Sequence, residues 1–121
     1  DGGYSAAIAQ GVANVSGGQK QRLSIARAVY RHPEFLIFDD SFSALDFKTD
    51  REVRDALARE AKDSTKLIVA QRIGTIMNAD RIVVLDDGKV VGQGTHKELL
   101  DNCDVYRQIA ESQLSQSELT A

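Results

Sequence analysis

Between Gln19 and Tyr30 apolar residues return at helical spacing. Leu23, Ala26 and Tyr30 share one face, and Ile25 and Val29 widen it, which predicts a largely buried helix. Arg27 and Arg31 lie toward its C-terminal end, where cations suit the helix dipole, and Pro33 stops it. Phe35-Leu36-Ile37-Phe38 is a continuous apolar run, the mark of a strand covered on both faces, and Asp39-Asp40 follow abruptly. Thr49-Asp50-Arg51-Glu52 has the form of a capping box. Val53, Ala56, Leu57 and Ala61 carry the helix that it opens to about Lys62. Leu67–Ala70 predicts a second buried strand ending at Gln71. A short helix around Thr75–Asn78 and a third strand, Arg81–Leu85, follow. Asp86-Asp87-Gly88 is a turn signal, so Lys89–Gly92 should return as a hairpin strand. A second capping box, Thr95-His96-Lys97-Glu98, opens a helix through Leu100, and a last helix runs from Val105 to about Gln113. Residues 1–15 read as a loop and 114–121 as a polar tail.

Helix and fully apolar strand in alternation is the grammar of an α/β fold with a parallel sheet. The expected core is three parallel strands flanked by helices, with a C-terminal hairpin. In such sheets ligands sit beyond the carboxyl ends of the strands, where Asp39, Asp40 and Gln71 fall. The 121 residues, 42% apolar and 27% charged, have the composition of one globular domain or part of one. A net charge of −3 argues against a nucleic-acid binder. The single Cys103 excludes an intrachain disulfide. Apolar runs are far too short to span a bilayer. The chain opens at Asp1 in a Gly-rich stretch without Met, and so reads as a piece of something larger.

Two stretches invite a chemical reading. Ser16-Gly17-Gly18-Gln19 begins the first helix, and Ser16 with Gln19 fits a capping box. Capping does not explain the consecutive glycines, which weaken a helix start. Glycines suit a place where an oxyanion must approach backbone N–H donors at the positive end of a helix. Asp39-Asp40, at the end of an apolar strand, could hold Mg²⁺ beside a nucleotide's phosphates, or merely enter a solvated turn. Cys103 reads as a partly buried small residue, His96 as the second residue of its capping box, and His32 as a surface residue.

Taken in order, Ser16-Gly17-Gly18-Gln19-x-Gln21-Arg22, the strand ending in Asp39, and Ser43-Ala44-Leu45-Asp46 resemble the ATP-binding cassette (ABC) ATPases. The likeness continues through Ala70-Gln71-Arg72-Ile73-Gly74-Thr75-Ile76, Asp80-Arg81-Ile82, Asp87-Gly88-Lys89 and Gly94–Leu100, covering about Tyr4 to Gln113. The last run looks like the exporter type. The resemblance implies the C-terminal part of a P-loop NTPase fold over residues 1–113. It further implies ATP and Mg²⁺ as cofactors, a second ABC ATPase domain and a transmembrane domain as partners, and no nucleic acid. The place implied is the cytoplasmic face of a cell membrane, a bacterial one. Ser16, Gly17, Gly18 and Gln19 match the signature that contacts the γ-phosphate of ATP held by the partner subunit. Asp39 matches the Walker B aspartate that serves Mg²⁺. Ser43, Ala44, Leu45 and Asp46 match the D-loop at the subunit interface. Gln10 loosely matches a residue facing the membrane domain.

Three departures qualify that reading. No Gly-x-x-x-x-Gly-Lys-Ser/Thr occurs, so the phosphate-cradling loop is expected upstream of Asp1, and the chain alone is expected to be inactive. Asp40 stands where the family usually has a catalytic Glu, one methylene longer. Gln71 stands where the family usually has a switch His, and an amide cannot take up a proton as His does. With Ser16–Gln19 intact, these departures suggest the degenerate-site half of a heterodimeric exporter. Alternatives are a chromosome-maintenance or DNA-repair ATPase of the same family, or an inactive structural piece.

Overall fold

The computed structural model describes residues 16–119, which form two compact units divided after Val69. In the first, α1 (Gly17–Tyr30), β1 (Phe35–Asp39), α2 (Phe47–Glu60) and β2 (Thr65–Val69) follow in order. β1 and β2 pair in parallel, Phe35 opposite Thr65 through Asp39 opposite Val69. The crossover between them is α2, as a parallel pair requires. Its core gathers Ile25 of α1, Leu36 and Phe38 of β1, Leu57 of α2, and Phe42, Leu45 and Ala61 from the connections. The Phe38 and Phe42 rings meet at 5.4 Å in a tilted arrangement.

Burial is narrower than the apolar pattern predicts. Of α1 only Ile25 is buried, while Leu23 is 50% and Tyr30 83% exposed. Val29, one turn on from Ile25, is partly buried against the same core, so α1 contributes a narrow stripe. β1 likewise buries Leu36 and Phe38 and leaves Phe35 and Ile37 each 70% exposed. It is covered on one face, and the same alternation runs along β2. α2 begins before the expected capping box. Asp46 is its N-cap, accepting from Thr49 N–H at 2.9 Å and from the Thr49 hydroxyl at 2.9 Å. Those two bonds hold the Asp46 carboxyl below its ordinary range, the backbone bond foremost. Lys66 Nζ donates to the Ala61 carbonyl at 2.6 Å and so meets the end of α2.

The second unit contains α3 (Ile73–Ile76), β3 (Ile82–Asp86), β4 (Lys89–Gly94), α4 (His96–Asn102), α5 (Asp104–Gln113) and α6 (Gln116–Leu119). The expected third parallel strand is corrected here. Among the described residues β3 pairs with β4 alone, antiparallel, in a two-stranded sheet. A turn of two residues is the short-range signal that wins. Asp87 and Gly88 both take positive φ, 45° and 72°, the geometry of a tight hairpin. The short α6 lies within the stretch read as a polar tail, and Leu114 and Leu119 pack on this unit's core.

That core joins Ile73, Ile82, Val84, Leu99, Cys103, Tyr106 and Ala110. Burying Leu99 alone contributes about 1.5–3 kcal/mol. Cys103 is buried against Gly92, where an added Cβ would stand 2.8 Å from its Sγ. Thr95 caps α4 as expected, its hydroxyl accepting from Glu98 N–H at 3.3 Å. His96 follows the cap as the second residue of the expected capping box, and it also enters the core. It is buried, with Nδ1 2.7 Å from the Tyr106 hydroxyl, and its Nε2 meets no partner among the described residues. Directly after the cap, the α4 backbone turns this side chain inward onto Tyr106 of α5 rather than outward.

Burial, with Lys97 a smaller cause, holds the His96 pKa below its ordinary 6.5. The unfolded chain then takes up a proton that the folded chain refuses. This group's contribution is therefore complete above pH 6.5 and is lost as the pH falls through the lower folded value. Tyr106 runs the opposite way. Burial raises it to about 12, so its contribution is lost as the pH climbs from 10 toward that value. Thermal unfolding monitored between pH 7.5 and 5 should show an acid-side loss of stability that His96→Gln flattens; an unchanged slope in that variant would remove His96 as its cause.

Candidate nucleotide site

Ser16 is itself extended, at φ −69°, ψ 163°, and caps α1. Its hydroxyl accepts from Gln19 N–H at 3.2 Å, and Gln19 Oε1 accepts from Ser16 N–H at 2.7 Å, closing the capping box on both sides. The helix starts at Gly17, so both glycines lie in its first turn, where N–H groups lack intrahelical acceptors. They do different work. A Cβ on Gly18 would stand 3.0 Å from the Ala44 carbonyl oxygen, tighter than ordinary contact. A Cβ on Gly17 would meet only Ala44 Cβ at 3.5 Å. Gly18 thus serves the approach of the Ser43–Asp46 segment, and Gly17 is the glycine that leaves the helix end open.

The two segments share a cavity of about 330 Å³ at the N-terminus of α1. Ser16–Gln19 and Arg22 line one side, and Ala44, Leu45, Asp46 and Thr49 the other. Backbone donors of the first helical turn and the Arg22 guanidinium make this a cavity suited to an oxyanion. Leu45 anchors its far wall by burying itself in the core.

Gln21, a motif residue to which the sequence assigned no role, ties the walls together. Its Oε1 accepts from Ala44 N–H at 2.9 Å, and its Nε2 donates to the Asp40 carbonyl at 3.2 Å and to Ser43 Oγ at 3.1 Å. Ser43 Oγ also donates to the Asp40 carbonyl at 3.1 Å. The signal for Gln21 was its place five residues after the cap, on the same helix as the signature; its partners were legible only in three dimensions.

Asp39 closes β1 with its side chain exposed. Among the described residues no cluster of three metal-ligating side chains forms. A lone carboxylate still fits Mg²⁺, which keeps several waters and takes its remaining ligands from phosphates. Asp40 continues the ladder by donating N–H to the Val69 carbonyl at 3.0 Å, then turns at φ 51°. Asp tolerates this left-handed conformation better than most residues. Gln71 belongs to the second unit, where it is exposed and its carbonyl is bound by Gln113. Gln10 lies outside the described residues.

The unequal surroundings of the two glycines set opposite signs for the same substitution. Gly17→Ala should stabilise the chain by up to about 0.5 kcal/mol through helix propensity, while Gly18→Ala should destabilise it by about 1 kcal/mol through overpacking against Ala44. Equilibrium unfolding of the two variants side by side checks this, and equal shifts would refute the division of labour.

Comparison with known proteins places this geometry in a family. The ABC transporter family model matches residues 3–43, ending on Ser43 of the cavity segment. An uncharacterised ABC transporter ATP-binding protein of Mycobacterium tuberculosis is 50% identical over 92% of this chain, which spans 19% of that relative. The ABC multidrug transporter MDR2 of Trichophyton rubrum is 49% identical over 87% of this chain, which spans 8% of it. Among solved structures, a bacterial Atm1-family ABC exporter with ATP bound superposes with a TM-score of 0.79 and 36% identity. That match covers 84% of this chain and 18% of the exporter. Half-identical relatives, a shared fold and the matched signature segment agree: the chain belongs to the ABC transporter family, as part of its ATP-binding region.

Proposed function

We propose that the chain is the C-terminal portion of an ATPase domain that energises export through a membrane transporter. The observation that carries this is the single cavity shared by the Ser16–Gln19 helix end and the Ala44–Thr49 wall. Relatives named as transporters favour export over chromosome maintenance. No helix among the described residues is long and apolar enough to cross a membrane, so the membrane helices of such a transporter are assigned to other segments or chains.

In this reading Ser16–Gln19 complete an ATP site on a second ATPase domain. The Ser16 hydroxyl and the N–H groups of Gly17 and Gly18 donate to the terminal phosphate, and Arg22 adds charge beside them. Asp39 serves Mg²⁺ in this chain's own site. Bound ATP with Mg²⁺ supplies the phosphoryl group and neutralises its developing charge. Asp40 would polarise water with a carboxylate one methylene nearer the backbone than Glu, and Gln71 would orient by hydrogen bonding without accepting a proton. That pairing makes a weak hydrolytic site opposite a competent one, which calls for a partner domain of different sequence. Ser43–Asp46 would meet that partner.

Expressed without its partner, the full-length subunit should hydrolyse ATP slowly. The double variant Asp40→Glu with Gln71→His should raise turnover at this site, whereas Gly17→Asp, which places a carboxylate in the phosphate cradle, should lower turnover of the complex about a hundredfold. Brisk turnover by the lone subunit, or no gain from the double variant, defeats the degenerate-site reading. The 121-residue chain by itself, which carries no phosphate-cradling Gly-x-x-x-x-Gly-Lys-Ser/Thr loop, should bind ATP negligibly in titration calorimetry, and micromolar affinity would contradict that.

A further inference from the structure

Gln113 is the last residue of α5, a helix seated by the buried Tyr106 and Ala110. Its side chain reaches the segment that leads into α3. Nε2 donates to the Gln71 carbonyl at 2.9 Å, and Oε1 accepts from Ile73 N–H at 2.9 Å. The two bonds use opposite ends of one planar amide, so they fix its orientation as well as its position. Only a primary amide supplies that donor and acceptor together; a carboxylate accepts but cannot donate. The Ile73 N–H is a first-turn donor of α3, so Gln113 also supplies an acceptor that this four-residue helix cannot provide for itself. Ile73 is itself buried, which makes an unpaired N–H there costly.

We propose that Gln113 is the positioning residue for Gln71, clamping the backbone that leaves it, from its own carbonyl to the Ile73 N–H, and so setting the geometry from which its side chain acts. The proposal rests on the reading in which Gln71 occupies the switch position. Gln113 touches no reacting atom. It acts only through the backbone that it holds, and it makes the end of α5 a structural input to that position.

The test uses the full-length subunit in its transporter and two measurements. In hydrogen-exchange mass spectrometry, Gln113→Ala should speed exchange in the peptide containing Ile73 by roughly tenfold, the scale of one lost hydrogen bond, with peptides of β3 and β4 unchanged. In the Asp40→Glu, Gln71→His background, Gln113→Glu should lower kcat about tenfold at constant KM, the consequence of a misplacement below 1 Å. It should change nothing further when Gln71 is replaced by Ala. Gln113→Glu acting equally in the Gln71→Ala background, unchanged exchange at Ile73, or exchange rising throughout the second unit would each overturn the proposal. If the Asp40→Glu, Gln71→His background itself shows no gain, the functional reading falls. The exchange result then decides the clamp alone: local loss of protection upholds it, and unchanged protection removes it.

Discussion

The first unit depends on the approach of one loop to one helix end. Ala44 comes so close to Gly18 that a single methyl group would disturb it, and Gln21 holds the loop there through the Ala44 N–H and the Asp40 carbonyl. Everything that makes the cavity follows from that contact. The loop begins where β1 ends and finishes where α2 starts, so the clamp also ties the strand's carboxyl end to the helix that crosses to β2. Its strength is modest bond by bond, since exposed hydrogen bonds exchange with water. Its specificity comes from using both ends of one amide on two backbone groups.

A comparable economy recurs in the second unit. Gly92 admits Cys103 where any side chain would collide, and that approach seats the hairpin on α4 and α5. His96 and Tyr106 form a polar pair inside this apolar setting, and burial drives both toward their neutral forms. Gln113 then uses the far end of the same helix that carries Tyr106. Packing of α5 and the backbone around Gln71 are thereby linked within about two helical turns.

What could be read from the residues was local and periodic. Ser16 and Gln19 announced their capping box, Thr95 its cap and Asp87-Gly88 its hairpin, because each is decided by neighbours within four positions. The α/β class and the family were legible from ordered motifs. Burial was not, since Phe35 and Ile37 look like core residues in a run of four apolar side chains, and their exposure depends on what lies across the sheet. Thr49 and Glu52 mimicked a cap, but Asp46 lies three residues earlier and its carboxylate reaches both groups of Thr49. His96 hid its partner ten residues away, and Gln21 and Gln113 hid theirs at still longer range. Side-chain amides carry no periodic signature, so long-range clamps escape a reading built on periodicity.

Asp46 carries a consequence of a different kind. It lines the cavity and caps α2, with both carboxylate oxygens already committed to Thr49. Any group that entered the cavity and recruited that carboxylate would have to loosen the first turn of α2. Occupancy and helix fraying are then thermodynamically linked, each shifting the other by the same factor. The crossover helix would serve as a counterweight, setting how tightly this loop can be gripped from outside.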